Sequence, residues 1–186
     1  LKKMRKAHHD HIKSIIDVGF LPEGEIHERS EGTTPYEMAR TEKYPFARIM
    51  VAADLASGLS PWATKLLIGY LKDKDSAIRY WGAMGLLMRG KQGVSAAGKQ
   101  LEDALDDSSL YVRVVAAEAL GKYGSENQIK KAVKTLGETI NPIKNGCFPS
   151  MLAMNAIDHL DSKAKSLLTQ IKSMPRTPEG VDKRFQ

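Results

Sequence analysis

Apolar residues return every three or four positions through most of the chain, most regularly across residues 105–121. There Val112, Ala116, Ala119 and Leu120 fall on one side of a helix, the spacing that a 3.6-residue turn brings into register. Ser108 or Ser109, ahead of the run, can cap the helix, since a hydroxyl oxygen accepts from the free N–H groups of a first turn. Asp106 and Asp107 put negative charge where the helix dipole favours it. Gly121 or Gly124 can end the helix. The alanines are the most informative positions, because a small side chain lets a second helix come close.

The same arrangement lies 34 residues earlier, with Leu71, Asp73 and Arg79 matching Leu105, Asp107 and Arg113. Gly82, Gly85, Leu86 and Gly90 then match Ala116, Ala119, Leu120 and Gly124. Arg48, Val51 and Leu55 open a looser copy with Asp54 at a small-residue position, and residues 149–160 a degenerate fourth. A period of this size describes stacked units that bury a continuous core only together. The Asp…Val-Arg-x-x-Ala-x-x-Ala-Leu-Gly pattern of residues 107–121 resembles the second helix of a HEAT repeat. That resemblance implies an all-α fold, an α–α superhelix (HEAT-repeat solenoid) behind an N-terminal helical and irregular segment. It also implies hydrogen-bonded ladders between neighbouring repeats, built from the aspartates with Arg79 and Arg113.

Taken in order, residues 2–16 predict an amphipathic helix with Met4, Ile12, Ile15 and Ile16 on one side. Gly19 and Pro22 mark a turn, residues 25–29 a short helix, and Thr34-Pro35 with Glu37 a capping box opening another. Helices are then expected over 45–57, 60–71, 75–89, 95–105, 109–123, 128–140, 146–158 and 162–174, with an extended tail over 175–186. The chain thus reads as a junction segment (1–44), a repeat region (45–174) and a tail (175–186). It opens as if inside a helix, which makes a longer protein the expectation.

Composition narrows the partners. Aromatic residues make up 6% of the chain and β-branched runs are scarce, which argues against strands. The net charge of +6 raises nucleic acid as a partner, but basic and acidic residues are interspersed throughout and no basic stripe emerges. On the repeat helices, the positions one, five and eight after each arginine point away from the expected buried face. They are Ile49, Ala53, Ala56; Tyr80, Met84, Leu87; and Val114, Glu118, Gly121, a set with no basic residue. A phosphate-binding groove needs cations there, so nucleic acid is not expected. No apolar run reaches the ~18–20 residues that cross a bilayer, so no membrane partner is expected either. One cysteine excludes an intrachain disulfide.

The candidate chemistry is sparse. His8 and His11, three residues apart, could share a metal, but no third ligand is evident and no metal is expected. Residues 19–23, Gly-Phe-Leu-Pro-Glu, follow a basic helix, and Pro35-Tyr-Glu-Met-Ala-Arg40 comes next. This order resembles the junction at which bacterial sulfatases of the heparan N-sulfatase group leave their catalytic α/β domain, some continuing into HEAT repeats. The resemblance implies that the parent enzyme hydrolyses sulfate esters or sulfamates in the periplasm or outside the cell, using calcium and formylglycine. The formylglycine motif of that group is Cys/Ser-x-Pro-x-Arg. Cys147-Phe-Pro-Ser-Met151 comes near it, but Met151 stands where the arginine should be and supplies no positive charge beside the nucleophile. Cys147 therefore reads as a small buried residue or loop thiol, and the chain as non-catalytic and without a cofactor of its own.

What remains is a surface. Ile49, Tyr80, Met84, Leu87 and Val114, with Trp81 at the flank, are expected to form an apolar interaction face. Its occupants would be residues 1–44, an upstream catalytic domain or other protein, or a second copy of the chain. A non-catalytic module of a sulfatase is the leading expectation, and a free-standing HEAT adaptor that binds protein the alternative.

Overall fold

A computed structural model describes residues 2–175 and 179–180. Among the described residues all regular structure is helical and no strand forms. Two compact units arise, Leu1–Val51 and Ala52–Gln186.

The first unit contains α1 (Lys2–Ile15), α2 (Glu23–Arg29), α3 (Pro35–Met38) and the opening turns of α4 (Phe46–Ser57). α1 stops where Ile16 adopts a positive φ of 55°, and Asp17 Oδ1 then accepts the Gly19 N–H at 2.8 Å to make the turn. The Tyr44 hydroxyl donates to the Asp17 carbonyl at 2.5 Å, fastening that turn to the segment before α4. Arg29 performs a similar task for α2. Its Nη2–H donates to Glu25 Oε1 at 2.6 Å and its Nη1–H to the Lys43 carbonyl at 2.7 Å. The capping box at α3 forms as its sequence requires, with Thr34 Oγ1 accepting the Glu37 N–H at 3.2 Å.

The second unit begins with the rest of α4 and a 3₁₀ turn, Pro61–Ala63, and has further 3₁₀ stretches at Ala104–Asp106 and Asp161–Leu167. It continues through α5 (Thr64–Tyr70), α6 (Ser76–Met88), α7 (Gly90–Ala96), α8 (Gly98–Asp103), α9 (Leu110–Tyr123) and α10 (Glu126–Thr139). The short α11 (Pro142–Asn145), α12 (Cys147–Leu160) and α13 (Leu168–Ser173) complete it. At its centre α9 packs against α6, α7, α8, α10 and α12. Nine of its 14 residues are buried. From Val112 to Leu120 only Arg113 and Glu118 are charged, so this helix is apolar on nearly every side and suited to full enclosure.

The small residues sit where helices meet. A Cβ on Gly82 would lie 2.9 Å from the Leu67 carbonyl oxygen of α5, and one on Gly85 would lie 3.0 Å from Ala56 Cα of α4. One on Gly121 would lie 2.3 Å from Leu160 Cδ2 of α12. Ala116 and Ala119 are wholly buried in the same core.

Three local expectations change. Ser109 is the N-cap of α9, but its side chain makes no capping bond; Asp107 Oδ1 accepts the Ser109 N–H at 2.7 Å instead. The helix expected over 95–105 is two helices, α7 and α8, meeting at Ala97. Gly90, with φ of +60°, turns the chain directly out of α6, so helix begins earlier than the caps suggested. α11 was not foreseen, although Asn141 accepts from two backbone N–H groups ahead of Pro142 in the manner of Thr34-Pro35. The extended tail expected over 175–186 lies outside the described residues except at Pro175, Glu179 and Gly180.

Candidate functional site

The charged positions of the repeat pattern work together. Asp75 caps α6, its Oδ1 accepting from the Ala77 and Ile78 N–H groups at 2.9 and 3.3 Å. One turn on, Arg79 folds back and donates Nη1–H to the Asp73 carbonyl at 2.9 Å. Arg113 donates Nε–H to the Asp107 carbonyl, the same pair of positions one period later through a different guanidinium nitrogen. Arg79 also spans the period, its Nε–H and Nη2–H meeting Asp107 Oδ2 and Oδ1 at 2.7 Å each. This fork-to-fork pair is the strong form of an ion pair, and it is largely dry, with side-chain exposures of 12% and 9%.

A second set of donors closes helix ends. Arg89 gives N–H groups to the carbonyls of Leu55, Ala56, Ser60 and Gly85 at 2.8–3.2 Å. Two of these carbonyls belong to the last turns of α4, where a cation is favoured by the dipole. Burial pushes the Arg89 guanidinium below its ordinary pKa. Lys163 Nζ serves α9 likewise, donating to the carbonyls of Gly121 and Lys122 at 3.0 and 2.7 Å. Gln170 donates to the Gly137 carbonyl of α10 at 2.8 Å. Arg79, Arg89, Arg113 and Lys163 are thus engaged in holding backbone.

The six residues expected to form an apolar face divide in two. Tyr80, Trp81, Met84 and Leu87 are half-buried and packed against the core of the second unit. The Tyr80 and Trp81 rings meet edge to face at 5.6 Å. Val114 and Ile49 have no exposed surface. For Val114 this corrects the expected outward position. α9 is surrounded by five other helices, so the residue after Arg113 is enclosed, whereas Tyr80 after Arg79 is not. The nearly unbroken apolar run of α9 carries that signal in the sequence.

Cys147 opens α12 behind Gly146, whose φ of +83° and ψ of 164° only glycine adopts readily. The thiol is buried, with Sγ 3.5 Å from Met151 Sδ. Ser150, fully buried, donates its hydroxyl to the carbonyls of Thr139 and Gly146 at 3.1 and 2.8 Å. His8 and His11 lie exposed on α1. No group of three or more His, Cys, Asp or Glu is placed to hold a metal among the described residues, and no helix there is long and apolar enough to cross a membrane. A cavity of about 450 Å³ opens beside α12 and α13, lined by Met154, Ile157, Leu168 and Ile171 with Asp158, Asp161 and Lys165 at its polar edge. Sequence reasoning missed it, because its apolar residues repeat at ordinary helical spacing and only the fold leaves that strip uncovered. No protein-family model matches the chain, and neither does any curated protein.

Proposed function

We propose that this chain is a non-catalytic helical-repeat module of a sulfatase-like hydrolase, a HEAT-type solenoid that packs on or modulates a catalytic domain and mediates protein contacts. One observation carries the repeat reading. Arg79 and Arg113, 34 residues apart, each donate to the carbonyl six residues back, and Arg79 then reaches across the period to Asp107. A fixed offset repeated with a bridging pair is what stacked units of one design need to keep register. The link to sulfatases rests on the order of motifs in residues 19–40 and on the basic helix before them. The parent enzyme would supply the formylglycine and calcium.

The test is to read the open reading frame upstream of Leu1. A Cys/Ser-x-Pro-x-Arg motif within a sulfatase domain is the expected outcome. Its absence sinks the sulfatase part and leaves a free-standing adaptor that binds protein, a reading favoured by the half-buried Tyr80–Trp81 pair on α6. The chain alone should not turn over a chromogenic aryl sulfate. Turnover abolished by Cys147→Ala would overturn the non-catalytic assignment.

A further inference from the structure

Arg89 is a cation without a counter-ion among the described residues. Its bonded partners, the carbonyls of Leu55, Ala56, Ser60 and Gly85, are dipoles that carry no formal charge. They occupy both terminal nitrogens of the guanidinium and leave Nε–H buried with no hydrogen-bond partner. Burying charge is costly unless an opposite charge or a full set of hydrogen bonds answers it. Arg89 has neither.

A cavity of about 190 Å³ opens against this side chain. Leu59, Pro61 and Met88 give it apolar walls, and Thr64 and Gln92 add polar groups. Of its described lining residues Arg89 alone is charged. Among the described residues the Thr64 hydroxyl and the Gln92 amide have no hydrogen-bond partner. Leu59 and Met88 are 51% and 44% exposed, so the apolar walls lie open to water. Lys65 and Lys91, both exposed, adjoin Thr64 and Gln92 in the chain and add to the positive field.

Size and charge together narrow the ligand. At the ~30 Å³ that one molecule takes in liquid water, the cavity has room for about six non-hydrogen atoms. A neutral apolar molecule would leave the guanidinium unanswered. Inorganic phosphate would answer it but leave Leu59 and Met88 in water. An amine would meet a like charge. A carboxylate on a short aliphatic body satisfies the cation, the two polar groups and the apolar walls at once.

We propose that the cavity between the Pro61–Ala63 turn, the start of α5 and the α6–α7 junction binds a small free aliphatic carboxylate. Arg89 supplies the charge, Thr64 and Gln92 the donors, and Leu59 and Met88 the apolar contact. The proposal stands apart from the sulfatase reading and from the face on α6.

The probe is butyrate, titrated into the isotope-labelled full chain and followed by two-dimensional NMR. Saturable shifts of the Thr64, Gln92 and Gly93 amides and of Arg89 Nε–H are expected, with a Kd of about 1 mM for so small a ligand. Butyramide, which keeps the shape and lacks the charge, should bind at least about tenfold more weakly. Thr64→Val should weaken butyrate binding, and Met88→Glu, which sets a carboxylate at the cavity wall, should abolish it. Lys172→Ala on α13 should leave it unchanged. Arg89 is kept intact because it closes α4, and circular dichroism of each variant should match the parent chain. The proposal fails if about 20 mM butyrate leaves these signals in place, or if the shifts gather at other cations instead. It fails if butyramide binds as tightly, or if Met88→Glu binds like the parent. Equal binding by inorganic phosphate also overturns it, since the apolar walls then contribute nothing.

Discussion

Replacing Asp107 with alanine tests the bridge that joins one repeat to the next. The substitution removes the carboxylate that the Arg79 guanidinium meets through both oxygens at 2.7 Å. The two side chains are only 12% and 9% exposed, so water does not readily replace the lost partner. Removing one member of a buried pair costs about 3–5 kcal/mol. The lost acceptor for the Ser109 N–H adds about 1 kcal/mol, the usual net worth of a hydrogen bond. Arg79→Met should also destabilise, because it strands Asp107 and frees the Asp73 and Lys74 carbonyls. The double variant leaves neither charge unpaired. Its cost should therefore fall short of the sum of the singles by about 2–3 kcal/mol. Urea unfolding followed by far-UV circular dichroism measures all four corners of the cycle. The pair Lys99–Asp103, 3.5 Å apart with exposures of 83% and 63%, is the internal contrast, and its coupling should be about 0.3–0.5 kcal/mol. If the Arg79–Asp107 coupling is no larger than that, the bridge is an ordinary surface pair and the ladder argument is wrong.

Gly82→Ala should destabilise by about 1–3 kcal/mol despite its better helix propensity, because the new Cβ would press on the Leu67 carbonyl; a rise in melting temperature would show that α5 can move away. Ala119→Leu should cost a similar 1–3 kcal/mol by overpacking a site with no exposure. Lys122→Ala should change little, since its ion pair with Glu118 is long at 3.6 Å and spans one turn; equal melting temperatures for these two variants would mean the core face of α9 is misassigned. Hydrogen bonds from the Thr33 hydroxyl and then from Thr34 hold the Glu37 carboxyl below the ordinary glutamate range. Its contribution to stability is therefore full above that range and lost as pH falls through the lowered value. A carbon-detected NMR titration that places Glu37 at or above an ordinary glutamate would refute the capping-box geometry.

Helical periodicity and capping residues were enough to establish the helical class and most element bounds, because each is a local property of a few neighbouring residues. Thr34-Pro35-x-Glu37 could be read as a helix start for that reason, and it is one. That aspartates would form ladders with Arg79 and Arg113 was implied by the resemblance to HEAT repeats; which aspartate Arg79 meets was not. The fork geometry of Arg79 with Asp107 depended on where α6 came to lie. The apolar face was only partly legible. Tyr80 and Val114 occupy equivalent sites in the pattern, yet one is half-exposed and the other buried, since burial depends on how many helices surround a position and periodicity counts only one helix at a time. The backbone duties of Arg89 and Lys163, and the strip left open between α12 and α13, lay beyond any local signal. The bonds of Arg89 to α4 and of Lys163 to α9 link residues some 30 to 40 positions apart, and only the packed tertiary structure decides which carbonyls and which apolar strips are left without a neighbour.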